Sequence, residues 1–161
     1  MVRKLTTLLL ALLLVAPALS AQRQIRLTVA FYNLENLFDT IDGENNDADF
    51  LPDGSNQWTM EKYQQKLHNM AYAISQIGGQ RGPDIIGLAE IENRGVLEDL
   101  LRQPELRDAG YQIAHFDSPD KRGIDCALFY RSSVFQMTSA EPHPVTLVGE
   151  EHIKTRDVLE V

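Results

Sequence analysis

The sequence predicts an α/β protein built around a mixed sheet. Three observations carry that expectation: an alternating apolar segment at 24–33 and a nearly continuous apolar one at 85–89, two stretches of helical period, and several short alternating runs beyond residue 111. Strand, helix, strand, helix and then further strands is the order from which helix-covered sheets are built. The 161 residues are 43% hydrophobic and 24% charged, with 10 Gly, 7 Pro and one Cys. That balance excludes a disordered tail, a collagen-like fibre and a disulfide scaffold.

Residues 1–20 stand apart from the fold. Arg3 and Lys4 form a short positive region, residues 8–15 are almost unbroken apolar sequence, and Ala18, Leu19 and Ser20 end the segment on the small residues a signal peptidase reads. The apolar run is shorter than the roughly 20 residues of a bilayer span, and no other stretch qualifies. The expectation is an export signal cut after Ser20, a periplasmic or secreted protein with no membrane span after cleavage, and a domain over 21–161. Cys126 is far from the cut, which excludes a lipid-anchored Cys directly after it. Formal net charge is −8, and removing Arg3 and Lys4 leaves the remainder more acidic. Sequence-independent nucleic-acid binding needs Lys and Arg to displace phosphate counterions, and no such surplus exists here. A cation held by carboxylates would still bring a phosphate in.

In the first strand, Ile25, Leu27, Val29 and Phe31 share one face, with Asn33 in register at its end. Residues 39–56 mix six acidic residues with Gly, Asn and Pro and read as a long, solvated, mobile loop. They resemble a calcium loop only superficially, because Asp47 stands where that pattern needs Gly. From Thr59, a plausible N-cap, Tyr63, Leu67, Met70, Ala71, Ile74 and Ile77 follow helical spacing until Gly78-Gly79 stops the run. Pro83 and Asp84 open the second strand, whose apolar character suits burial on both faces, and Glu90 sits at its end. A shorter helix is expected at 96–102, and strands at 111–116 and 124–130 joined by the turn Ser118-Pro119-Asp120. Further strands are expected at 134–138, 145–148 and 155–161; the last looks like a strand in progress, with no closing loop.

Chemistry concentrates just after the first two strands. In open α/β sheets ligands collect outside the carboxyl ends of strands, so Asn33 and Glu90 are placed to face one crevice. A carboxylate with a neutral amide oxygen suits a hard divalent cation such as Mg²⁺. On spacing alone, an Asn cap and a solvated Glu explain the same residues.

The segments VAFYNLENLF at 29–38, PDIIGLAEIENRGVLEDLL at 83–101 and KRGIDCALFYR at 121–131, in that order, closely resemble the N-terminal half of the endonuclease/exonuclease/phosphatase superfamily, the DNase I-like proteins, in its secreted bacterial members. The resemblance implies a four-layer α/β/β/α sandwich, incomplete in this chain, and metal-dependent cleavage of phosphodiester bonds. It implies that Asn33 and Glu90 hold a catalytic Mg²⁺ or Mn²⁺, and that Arg122 and Asp125 border the substrate cleft. A turn salt bridge followed by a strand is the other reading of that last pair. Glu90 rather than Glu92 matches the metal-binding carboxylate, with Ile91 between them turning Glu92 to a different side. Ala89 stands where many members carry Gln, which removes an amide neighbour and no metal ligand.

The family's later motifs, including the His that deprotonates the attacking water, are expected beyond residue 161, so residues 21–161 read as the N-terminal part of the domain and inactive alone. His68, His115, His143 and His152 are the only histidines. His68 reads as structural or solvated, His143 as a loop residue between two prolines, and His115 as the best substitute base. Cys126 reads as a small buried apolar residue. Substrate classes across the superfamily include DNA, RNA, phosphoinositides and phospholipids. The alternative is an inactive, truncated or degenerate relative that serves as a binding module.

Overall fold

The structure, a computed structural model, describes residues 25–79, 81–149 and 154–161. The expected export signal and His152 lie outside them. No helix among the described residues is long and apolar enough to cross a membrane.

Strand β1 (Val29–Leu37) is followed by helix α1 (Met60–Gln76), strand β2 (Ile85–Ile91), helix α2 (Arg94–Leu101) and strands β3 (Tyr111–His115), β4 (Asp125–Arg131), β5 (Glu141–His143) and β6 (Val158–Glu160). A four-stranded sheet has the order β1-β2-β4-β3, and β5 and β6 form a separate ribbon. β1 and β2 run parallel, as a strand–helix–strand unit requires, while β4 is antiparallel to both its neighbours. The fold is therefore the mixed α/β arrangement expected.

Both helices form where the pattern places them. Thr59 caps α1, its hydroxyl accepting from Lys62 N, and Asn93 caps α2, its amide oxygen accepting from Val96 N. Gly78, at φ 73°, ends the α1 segment in the left-handed region that a side chain would resist. Tyr63, Leu67, Ala71 and Ile74 turn to the sheet and meet Leu34, Ile86, Leu88 and Phe129 in one core, completed by Val96, Leu97 and Leu100.

The other face of the sheet is also apolar. Val29 and Phe31 point there and are each 70% exposed, so the alternating face of the first strand is the one away from the helices. Phe31 lies across β2 at Gly87, where an added Cβ would stand 2.8 Å from the ring. Segment 155–161 covers part of this face and leaves a cavity of about 690 Å³ lined by Phe31, Gly87, Cys126, Leu128, Arg156 and Val158. Cys126 is only half-buried, and that partial burial raises its thiol pKa.

Several boundaries differ from expectation. β1 starts at Val29 rather than 24 and runs on through Leu37. Residues 134–138 form no strand, because Val134 N and Phe135 N both donate back to Arg131 O and close a turn after β4. Residues 145–148 are irregular, and of 155–161 only Val158–Glu160 pairs. His143, expected in a loop, ends β5; the ribbon has only one partner per strand, so Pro142 is tolerated there. The acidic stretch 39–56 is the surface loop expected, exposed over most of its length, but it is anchored at a few points. Phe50 stacks on Phe38 with ring centroids 4.2 Å apart, Trp58 Nε1 donates to Phe38 O, and Asp47 is buried, accepting from Gly43 N. Its aromatic residues fold it back onto the end of β1.

Candidate active site at the strand ends

The carboxyl ends of β1 and β2 lie side by side, and both depart from regular geometry there. Pairing is regular up to Asn33 opposite Ala89 and resumes at Leu37 opposite Ile91. On the other flank, Ala89 pairs with Cys126 and Ile91 with the adjacent Asp125, so Glu90 is an extra residue bulged out of the central strand. Glu90 has φ 62°, and Glu35 and Asn36 in the β1 bulge have φ 52° and 61°. Left-handed backbone costs an ordinary L-residue roughly 1–2 kcal/mol. Strain of this kind persists where surroundings enforce it and clusters at functional sites.

Asn33 is exposed beside Glu90's strand, and its Oδ1 accepts from Glu35 N at 2.7 Å, holding the start of the β1 bulge. Lys66 reaches in from α1 to finish it, donating to Glu35 O at 2.6 Å and Asn36 O at 3.1 Å, with its ammonium over the Trp58 ring. Burial lowers the Lys66 pKa, while the charges of Glu35 and Glu90 oppose that shift.

Cations rim Glu90. Its Oε1 is 3.8 Å from Arg156 Nη1, a loose pair. Arg122 is joined to Asp120 by two contacts of 3.1 Å, and this bond raises its pKa, with Glu90 adding to the effect. Burial works against the ionised Asp120, but the hydrogen bonds and charge of Arg122 prevail and hold its carboxyl below the usual range. Arg122 remains 57% exposed, so its outer edge faces solvent. Asp125 is buried beneath the same turn, where it accepts from Ser118 N and contacts His115 Nε2.

Glu92 is separated from Glu90, but not by simple alternation. A regular strand places residues two apart on the same face. The left-handed bulge at Glu90 breaks that relation, and Glu92 turns instead to the loop, accepting from Asp39 N and Asn45 Nδ2. Burial raises the Glu92 pKa.

The described histidines are each engaged by another carboxylate: His68 by Glu105 at 3.1 Å, His115 by Asp125 at 3.1 Å and His143 by Glu160 at 2.9 Å. Sequence reasoning missed Lys66 and Arg156. Lys66 sits on the polar flank of an amphipathic helix and Arg156 in an irregular segment, so neither carries a local motif.

A mixed sheet under helices, with an amide and a strained carboxylate towards neighbouring parallel strand ends, defines an α/β protein of the kind in which ligands collect in the strand-end crevice. The profile of the Endonuclease/Exonuclease/phosphatase family matches residues 28–161, and the chain belongs to that family, a superfamily of phosphodiester hydrolases with the DNase I-like α/β fold. Searches of curated proteins and of solved structures returned no match.

Proposed function

We propose that this chain is an exported, Mg²⁺- or Mn²⁺-dependent phosphodiesterase or nuclease, and that Asn33 and Glu90 hold the ion. The observation that carries this reading is Glu90 itself. It is the extra residue of a central strand, held at positive φ directly after Ala89, the residue that pairs with Asn33 on the neighbouring strand. These hard oxygen donors fit Mg²⁺, which takes one or two carboxylates from a protein and keeps several waters. When bound, such an ion neutralises charge developing on a phosphoester and stabilises the leaving oxygen.

The chain's own residues do the rest of the positioning. Lys66 fixes the bulge that presents Asn33. Arg122, held by Asp120 and still exposed, is set to receive a phosphate oxygen, and Asp125 supports the turn that carries it. The described residues supply the metal-holding and phosphate-facing side of the site. Among the described residues no histidine is in contact with Asn33 or Glu90 to serve as base for the attacking water, so we expect residues 25–161 alone to be inactive. Export to the periplasm or beyond follows from the segment at 1–20. The alternative, an inactive relative that binds without cleaving, shares the metal site and differs only in turnover.

Mn²⁺ titration followed by electron paramagnetic resonance tests the metal assignment directly. The full-length protein is expected to bind Mn²⁺ in competition with Mg²⁺, with affinity falling on the order of 10-fold or more in Glu90→Ala. Equal affinity in the two proteins removes Glu90 from the site. Phosphodiester hydrolysis in Mg²⁺ by the same pair then separates an enzyme from a binding module.

A further inference from the structure

A second cluster of ligating groups lies in the β3–β4 hairpin, beside the strand-end pair, with Asp125 opposite Ile91 in the sheet. His115 closes β3, Asp117 follows it, and Asp125 opens β4. One ligand atom from each lies within 4.8 Å of the other two. His115 and Asp125 side chains are 3% and 5% exposed, and Nε2 stands 3.1 Å from Oδ2. Two donors bound to one tetrahedral ion at about 2.1 Å stand about 3.4 Å apart, a few tenths of an ångström from the separation that the His115–Asp125 hydrogen bond already sets.

Among the described residues, the lining of the neighbouring cavity is acidic, and Arg122 offsets only Asp120. The cavity measures about 460 Å³ and is lined by Asp117, Asp120 and Asp125 together with Glu44 and Glu92, with no Lys or Arg in the lining. Asn45, in the same wall, has its Oδ1 buried without a hydrogen-bond partner. Carboxylates gathered in this way repel one another unless a positive charge stands among them.

We propose that His115, Asp117 and Asp125 bind a divalent transition-metal ion, with Zn²⁺ preferred. An imidazole nitrogen with two carboxylate oxygens suits Zn²⁺ better than Mg²⁺, and three protein donors leave a further position open towards the acidic cavity. The ion clamps the two ends of the hairpin turn that carries Arg122. This inference stands apart from the proposed role of Glu90 and needs neither that residue nor catalysis.

The test is Zn²⁺ titration by calorimetry of the full-length protein carrying Glu90→Ala, which silences the strand-end carboxylate. One equivalent is expected, with affinity falling at least about 10-fold on adding Asp117→Asn or His115→Gln. Asp117 is exposed, so its isosteric variant tests the site even if the buried His115→Gln does not fold. Co²⁺ as a spectroscopic substitute is expected to show a visible band that Asp117→Asn weakens. Failure to bind Zn²⁺, or binding unchanged by Asp117→Asn, overturns the proposal. Loss of Mn²⁺ binding on Glu90→Ala is read separately and bears only on the strand-end site.

Discussion

Replacing Glu90 by Gly and by Ala separates backbone strain from side-chain chemistry at one position. Both variants lose the carboxylate and the 3.8 Å contact with Arg156, which, being partly exposed, contributes no more than about 1 kcal/mol and cancels in the comparison. They differ in the backbone. At φ 62° Ala retains a strain of roughly 1–2 kcal/mol that Gly escapes. Gly gives back about 0.4–1 kcal/mol through its freer unfolded chain. The Gly variant is therefore expected to be more stable than the Ala variant by about 0.5–1 kcal/mol, the reverse of the order at an ordinary strand position. With a urea slope of about 1–3 kcal/mol per M, the midpoint of Glu90→Gly should lie higher by about 0.2–1 M. Equilibrium urea unfolding of the two proteins measures this, and Mn²⁺ binding should be weakened equally in both. An Ala variant as stable as the Gly variant, or more so, would refute the claim that Glu90 is held in a strained, left-handed bulge.

Two further outcomes follow from groups around the site. Tyr63 is buried and donates to Asp99 Oδ2 at 3.0 Å; burial and that bond raise its pKa well above 10.0. A raised pKa means that its contribution is complete below the unfolded value and is lost as pH rises towards the folded one, because the unfolded chain releases the proton first. Tyr63→Phe should cost about 1 kcal/mol at neutral pH and flatten the fall of melting temperature above about pH 10; parallel curves for the two proteins would discard the coupling. Lys66→Met removes the two bonds to Glu35 O and Asn36 O and should cost about 1–3 kcal/mol. Hydrogen exchange at Phe38 N, which donates to Asn36 O, should quicken more than exchange in α1; uniform acceleration would mean that Lys66 supports the fold at large rather than this bulge.

Local pattern alone was enough for much of the architecture. The helical spacing of Tyr63, Leu67, Ala71 and Ile74, with its Thr59 cap, reproduces α1 almost to the residue, since periodicity and capping act within a few residues of chain. The same holds for the core of β2 and for the β3–β4 hairpin. Expectation failed where pairing depended on distant partners. Residues 134–138 have strand-like composition, but Arg131 O captures their amides in a turn, and Glu141–His143 pairs with Val158–Glu160 despite its proline. The acidic segment is solvated along most of its length, as its charges suggest, but Phe50 and Trp58 decide where it is anchored.

The candidate site divides along the same line. The sequence by itself singled out Asn33 and Glu90, which lie where the first two strands lose regular pairing rather than at their last residues, and through the family's ordered motifs the class of chemistry of the chain. Only the tertiary structure decided how they are presented. The bulge that ejects Glu90 exists because β2 must stay in register with β1 on one side and β4 on the other while carrying one residue too many for β4. Lys66, Arg122 and Arg156 come from a helix, a turn and a distant segment to surround it. Spacing along a chain encodes periodicity within an element, whereas a bulge and its cationic rim arise from the fit between elements, which no single segment contains.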